Sequence, residues 1–437
     1  MHEHPVAEPD DYDWNDERQA DSRTVKPFPN NAIPLAARWQ RARLDDVTER
    51  ASGHTPDQSR PEYWNGGIKW VSLADSHRLD RGYIRDTSKE ISALGIRHSS
   101  AVLLPAQTVI VSRDAGVGKS AVLQQEMAVS QHFIAWKCGG KDVLDPWFLY
   151  DWLHVNKPFF ERIAVGSTIK TIGLPIFRRL TIDFPPIAEQ RKIAEILRTW
   201  DHAIEKLTAL RTAQQRKVAG LSQKLLGRSG DFPAHWSRKR LSQIAPRVRR
   251  ASDGGEHPVM TISAKSGFLM QSDKFARDMA GTSVERYLLL YRGEFAYNKG
   301  NSLMAPYGCI YALEEPSALV PFVYYAFALD SELNHEFYTH LFAAGALNHQ
   351  LSRLINSGVR NDGLLNLDAD DFFSCQVPVP PLEEQRRIGA TLTSAKRELQ
   401  LLEKEVQAFS RQKRGLMQKL LTGEWPVPTP DREAVRT

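Results

Sequence analysis

Hydrophobic positions recur at alternating intervals of four and three in two stretches of the chain. The first seam runs Ile193, Leu197, Trp200, Ile204, Leu207, Arg211, Gln214, Val218, Leu221, Leu225. The second runs Ile388, Leu392, Ala395, Leu399, Leu402, Val406, Phe409, Lys413, Leu416, Leu420. This spacing predicts a long amphipathic helix in each place, with the heptad pattern of a coiled coil. Pro185-Pro186 and Pro380-Pro381 stand where each helix begins, since proline fits the first turn and blocks helix upstream. Glu189 and Glu384 fall near the positive end of the helix dipole. The two stretches superpose without a gap at an offset of 195, with 16 of the 42 positions from Pro185 to Leu226 identical. That shared register favours two helices packed on each other over two amphipathic helices on separate cores.

Each helix follows a region of mixed composition, and these two regions share fainter landmarks. Both open with a tryptophan and a leucine five residues later, Trp39/Leu44 and Trp236/Leu241. Both contain a strand-like run ending in a base, then a glycine: VIVSR to Arg113 with Gly118, and EFAYNK to Lys299 with Gly308. Both close on a β-like stretch, LTIDFPP or CQVPVPP, that leads into the helix. The expected plan is an acidic, flexible arm (1–34), a domain (35–184), a helix (185–228), a second domain (229–379), a second helix (380–425) and a tail (426–437).

Composition supports folded cores, at 42% hydrophobic residues in 437. No run approaches the ~18 apolar residues of a membrane helix, and the N-terminus has no secretory pattern. Cys138, Cys309 and Cys375 are too few and too scattered for a disulfide framework or a zinc site, so a reducing cytoplasm is expected. The net charge of +5 divides unevenly: residues 1–22 hold eight acids against one base, a net −7, which leaves +12 on the rest. A basic body points toward a polyanionic partner.

Asp114-Ala115-Gly116-Val117-Gly118-Lys119-Ser120 contains GKS, but a Walker A loop needs glycine where Arg113 stands. A strand–turn–strand is the simpler reading. Asp145-Pro146-Trp147-Phe148 is one proline short of an amino-methyltransferase motif and reads as a helix start, with Asp145 as N-cap. The histidines show no metal-ligand spacing, and no nucleophile–base set stands out. The sequence predicts no catalytic or metal residue.

The repeated PPxxEQRxI helices, each behind a W-x4-L domain, together with the SGxTP and PEYWxGGIxWV elements between Trp39 and Asp75, resemble the specificity subunits of type I restriction–modification enzymes. The resemblance covers roughly residues 35–425. It implies an α+β fold class: two mixed α/β target-recognition domains separated by two long antiparallel coiled-coil helices, with a pseudo-two-fold internal repeat. It further implies a non-catalytic subunit that reads a bipartite, asymmetric site on double-stranded DNA. Two methyltransferase subunits would dock on it, and motor–nuclease subunits would join that core. No cofactor is expected in this chain; S-adenosylmethionine, ATP and Mg would belong to the partner subunits.

For DNA contact the candidates are Ser112, Arg113 and Lys119 in the first domain and Asn298, Lys299 and Asn301 in the second. Lys170, Arg247, Arg249 and Arg250 are weaker choices, because bases at domain edges usually touch phosphate alone. For assembly the candidates are the apolar seam residues given above. Two other classes compete: a nucleotide-binding enzyme using the GKS loop, and a coiled-coil dimerisation protein without DNA specificity.

Overall fold

The computed structural model describes residues 36, 38–140, 142–227, 231–274, 286–300, 303–355 and 364–428. The arm 1–34, residues 429–437 of the tail and Asn301 lie outside them. The chain divides into two compact units. One holds the described residues up to Glu205 with those from Gln407 onward, and the other spans Lys206–Val406. The boundary therefore cuts through both long helices, Ile187–Leu226 and Leu382–Leu421, so that each unit owns half of each. At ~1.5 Å per residue, each 40-residue helix is about 60 Å long.

In the first unit, strand Gln40–Arg43 pairs antiparallel with Thr181–Phe184, so the domain begins and ends side by side. Leu44 opens a single helical turn, is fully buried, and donates its N–H to the Leu180 carbonyl at 2.8 Å. The second unit repeats this with Ser237–Arg240 against Gln376–Val379 and with Leu241 bonded to the Cys375 carbonyl at 2.8 Å. Trp39 and Trp236 are buried just ahead of these strands. The W-x4-L spacing thus encodes a strand, with a core anchor at each end.

Between the paired strands the first domain carries a five-stranded sheet with Val109–Ser112 at its centre, between Phe133–Lys137 and Ser120–Leu123. A four-stranded sheet accompanies it. The second domain has a four-stranded sheet in which Phe295–Asn298 lies between Tyr325–Phe327 and Cys309–Ala312.

Each domain then sends one short crossing helix onto its long helix. Asp145 caps Pro146–Val155 by accepting the N–H groups of Trp147 and Phe148, and Asn334 caps His335–Ala343 by accepting that of Phe337. A buried glutamine from the repeated motif fixes each cap. The Asp145 N–H donates to Gln190 Oε1 at 2.8 Å, and the Asn334 N–H to Gln385 Oε1 at 2.9 Å. The EQR motif is therefore a backbone clamp that joins each domain to its long helix.

The helix halves pack antiparallel within each unit. In the first, Ile193 and Leu197 share a core with Met417, Leu420 and Leu421, and further along Trp200 meets Phe409 at 5.4 Å between ring centroids. In the second, Leu221, Leu225 and Leu226 share a core with Ile388 and Leu392. All twenty seam positions are buried or half-buried. Two polar lapses find partners across the helix pair: Lys413 Nζ lies 2.5 Å from Asp201 Oδ1, and Gln214 Nε2 donates to Glu398 at 2.7 Å. No helix among the described residues is long and apolar enough to cross a membrane.

Candidate nucleic-acid interface and assembly helices

The GKS segment is a β-hairpin turn. Val111 lies opposite Ser120, the Ser112 N–H donates to the Lys119 carbonyl, and the Gly118 N–H donates to the Ser112 carbonyl. Gly116 and Gly118 take φ of 108° and 79°, left-handed values that glycine accepts without a Cβ penalty. A strand follows Lys119, so no helix N-terminus faces the loop, as a P-loop requires. Lys119 Nζ donates to the carbonyl and the Oγ of Ser76, at 3.1 Å each.

Ser112 is buried, and its Oγ donates to the Asp114 carbonyl. Arg113 is half-buried with Nε 3.9 Å from Asp114 Oδ1, while Asp114 Oδ2 lies 2.7 Å from His132 Nδ1. The loop after the crossing helices folds back onto this turn through bridges from Asp114 and Val165 to Thr171. It presents exposed Val165, Ile169 and Lys170. Lys119, Lys157 and Lys170 line one shallow cleft of about 450 Å³ with Glu161. Of this loop only Lys170 was singled out by the sequence; Val165, Ile169 and Lys157, held 2.7 Å from Asp80, were not. Their charge and apolar tips carried no periodic signal.

In the second unit, Asn298 and Lys299 end the equivalent central strand. Asn298 Nδ2 donates to the Ile262 carbonyl, and its Oδ1 accepts the Gly300 N–H, which shapes the turn. Lys299 Nζ donates to Tyr325 Oη at 3.3 Å and lies over that ring. Arg247 also stacks over Tyr325 and keeps an exposed face. Arg249 is exposed. Arg250 is chelated by Glu294 at 3.0 and 3.1 Å and rests on Tyr291; the hydrogen bond to Glu294 raises its pKa.

The SGxTP and YWxGG strings prove architectural. Trp70 Nε1 donates to the His54 carbonyl and Trp64 Nε1 to the Asp57 carbonyl, tying the SGHTP loop to its sheet. A Cβ on Gly53 would stand 1.8 Å from the Val129 carbonyl oxygen, so only glycine fits there.

Among the described residues, no group of three or more His, Cys, Asp or Glu side chains could hold a metal. Residues 37–214 match the type I restriction modification DNA specificity domain family. The chain is 22% identical to the type I restriction enzyme MjaIX specificity subunit of Methanocaldococcus jannaschii, across 89% of this chain and 94% of that one. This chain is similar to the specificity subunits of type I restriction–modification enzymes. It is also 28% identical to the HindI specificity subunit of Haemophilus influenzae, over 40% of this chain and 39% of that one. The fold is shared with the crystal structure of the S subunit from M. genitalium, with a TM-score of 0.54 at 16% identity, covering 92% of this chain and 98% of that one.

Proposed function

We propose that this specificity subunit reads a bipartite, asymmetric site on double-stranded DNA, one half with each recognition domain. It would bring methyltransferase subunits, and with them motor–nuclease subunits, to that site, acting in the cytoplasm. The observation that carries this reading is the duplication: two domains of unlike content stand on the same glutamine-clamped helix frame. One frame with two different surfaces suits two different half-sites. Arg113, Lys119 and Lys170 in the first domain, and Lys299, Arg247 and Arg249 in the second, supply the cations for it. Ser112 and Asn298 shape the turns that carry those cations, while Arg250 is engaged by Glu294. The subunit is non-catalytic; S-adenosylmethionine, ATP and Mg belong to its partners. The hairpin at Lys119 leaves the nucleotide-binding alternative without a phosphate cradle.

Co-expression of the chain with its methyltransferase subunit, followed by sequencing of host DNA methylation, tests this. A motif of two short half-sites separated by unspecified bases is expected. Methylation by the isolated chain, or methylation without a motif, would overturn it.

A further inference from the structure

The two glutamine clamps set a common reference from which the crossing helices can be matched. Counting from Asp145 and Asn334, Trp147 corresponds to Glu336, Tyr150 to Thr339, Asp151 to His340 and His154 to Ala343. In the first unit Trp147 fills the space beside the long helix. Its ring meets Tyr83 at 4.6 Å and Tyr150 at 5.6 Å, and Arg198 lies 4.4 Å above it. In the second unit the smaller side chains leave that space empty, as an open cleft of about 1230 Å³ between the sheet edge, the crossing helix and the long helix.

The charges differ as well. Asp201 of the first unit has Lys413 at 2.5 Å. Its counterpart in the repeat is Lys396, and the counterpart of Lys413 is the buried, uncharged Val218. Lys396 lines the cleft, half-buried, with no ion-pair partner among the described residues. Burial lowers its pKa, which marks a cation removed from water without a counter-charge. Beside it His340, 6% exposed, bonds Thr393 through Nε2 at 2.9 Å, while its Nδ1 is buried without a partner. Met260, Phe268 and Leu313 give the opposite wall an apolar surface.

We propose that this cleft is a docking site for a partner protein, a segment that inserts a carboxylate beside Lys396 and an apolar side chain where Trp147 sits in the first unit. Charge complementarity selects the occupant. Lys265, Arg292, Lys396 and Arg397 line the cleft together with Glu314, Glu315 and Glu336, and such interleaved signs match the mixed charges of a protein segment rather than the uniform phosphates of duplex DNA. A protein segment can place a carboxylate beside Lys396 while its own cations or amides meet those glutamates. The cleft would then distinguish the two ends of a pseudo-symmetric chain, since Trp147 fills the corresponding space in the first unit. The inference rests on the reading of the chain as a subunit of a methyltransferase complex.

Amine footprinting tests it on the full-length chain. Acetylation of Lys396 by N-hydroxysuccinimidyl acetate is followed by mass spectrometry in the free chain, with duplex DNA, and with the methyltransferase subunit. Rapid acetylation in the free chain and at least tenfold slower acetylation in the protein complex are expected. Thr339→Trp, which refills the cleft, should weaken assembly at least tenfold, as should Lys396→Gln, with recovery in Lys396→Arg. Undiminished reactivity in a complex that forms, or protection by DNA alone, would overturn the docking site while leaving the proposed function standing. Failure of the wild-type chain to form any complex would remove both.

Discussion

At the base of the first domain Trp147, Tyr83 and Tyr150 close the space beside the long helix, whereas Glu336, Thr339 and Ala343 leave it open in the second. The frame around that space is nearly identical. The same strand pair brackets each domain, a buried leucine follows the first strand, and a glutamine clamps each crossing helix. Even the buried polar positions correspond, though with opposite chemistry, Asp151 against His340. The frame is constrained by backbone hydrogen bonds that few side chains can make. The filling needs only to occupy volume or to be occupied by something else. A duplicated subunit can therefore diverge at its surfaces without losing its architecture.

The strongest way to break the frame is to charge its deepest seam. Leu197 and Leu392 occupy the same place in the repeat, and both are fully buried. Leu197→Asp and Leu392→Asp should each cost about 4 kcal/mol or more, from lost burial and an unpaired buried charge. Leu207→Asp and Leu402→Asp sit mid-helix, where the seam is half-buried, and should cost about half as much. Urea unfolding ranks them; equal losses at all four sites would show a uniformly buried coil instead.

The glutamines sharpen the comparison at smaller scale. Gln190 Nε2 donates to the Val143 and Pro185 carbonyls besides the bond its Oε1 accepts from Asp145. Gln385 Nε2 donates to the Pro380 carbonyl, and its Oε1 accepts from Asn334. Each bond lost to a buried backbone group costs about 1 kcal/mol. Gln190→Ala should therefore destabilise by about 3 kcal/mol and Gln385→Ala by about 2. The reverse order in denaturant midpoints would mean that the number of backbone bonds does not set the strength of each clamp.

Much of the frame was legible in the sequence because it repeats. The seams, the proline-started helices and the W-x4-L openings recur at matched positions, and periodicity is what a single sequence displays best. The candidate interface was less legible. Ser112 and Lys119 were chosen as polar residues in a glycine turn, and the structure spends Ser112 Oγ on the Asp114 carbonyl and Lys119 on Ser76. Such bonds depend on Asp114 and Ser76 being folded into place, and no local pattern announces that. The open cleft was invisible for the same reason: absence of Trp147's counterpart means something only once the two crossing helices are aligned by their clamps.

The smallest predicted effect sets the two units against each other in acid. Burial pushes the His340 pKa down to about 4 from 6.5, and Lys396 adds to the shift. The unfolded chain then takes up the proton first, so this contribution is intact above pH 6.5 and is lost as pH falls toward 4. By pH 5 the loss is about 1–2 kcal/mol, at ~1.4 kcal/mol per unit with part of the effect screened by solvent. Asp151 behaves in the opposite sense. Complete burial raises its pKa well above 3.8, with Asp201 and Asp145 adding and Lys413 and Arg198 opposing. Its contribution is fully present below 3.8 and is lost as pH rises through the folded-state value. Acid should therefore loosen the second unit while it favours the first. Hydrogen exchange read by mass spectrometry at pH 5 and pH 7, corrected for intrinsic rates, resolves the two. Relative protection should shift from His335–Ala343 toward Pro146–Val155 on acidification, and His340→Asn should remove the second unit's share of that shift. Parallel changes in both helices would mean that Asp151 and His340 do not control the stability of their own units.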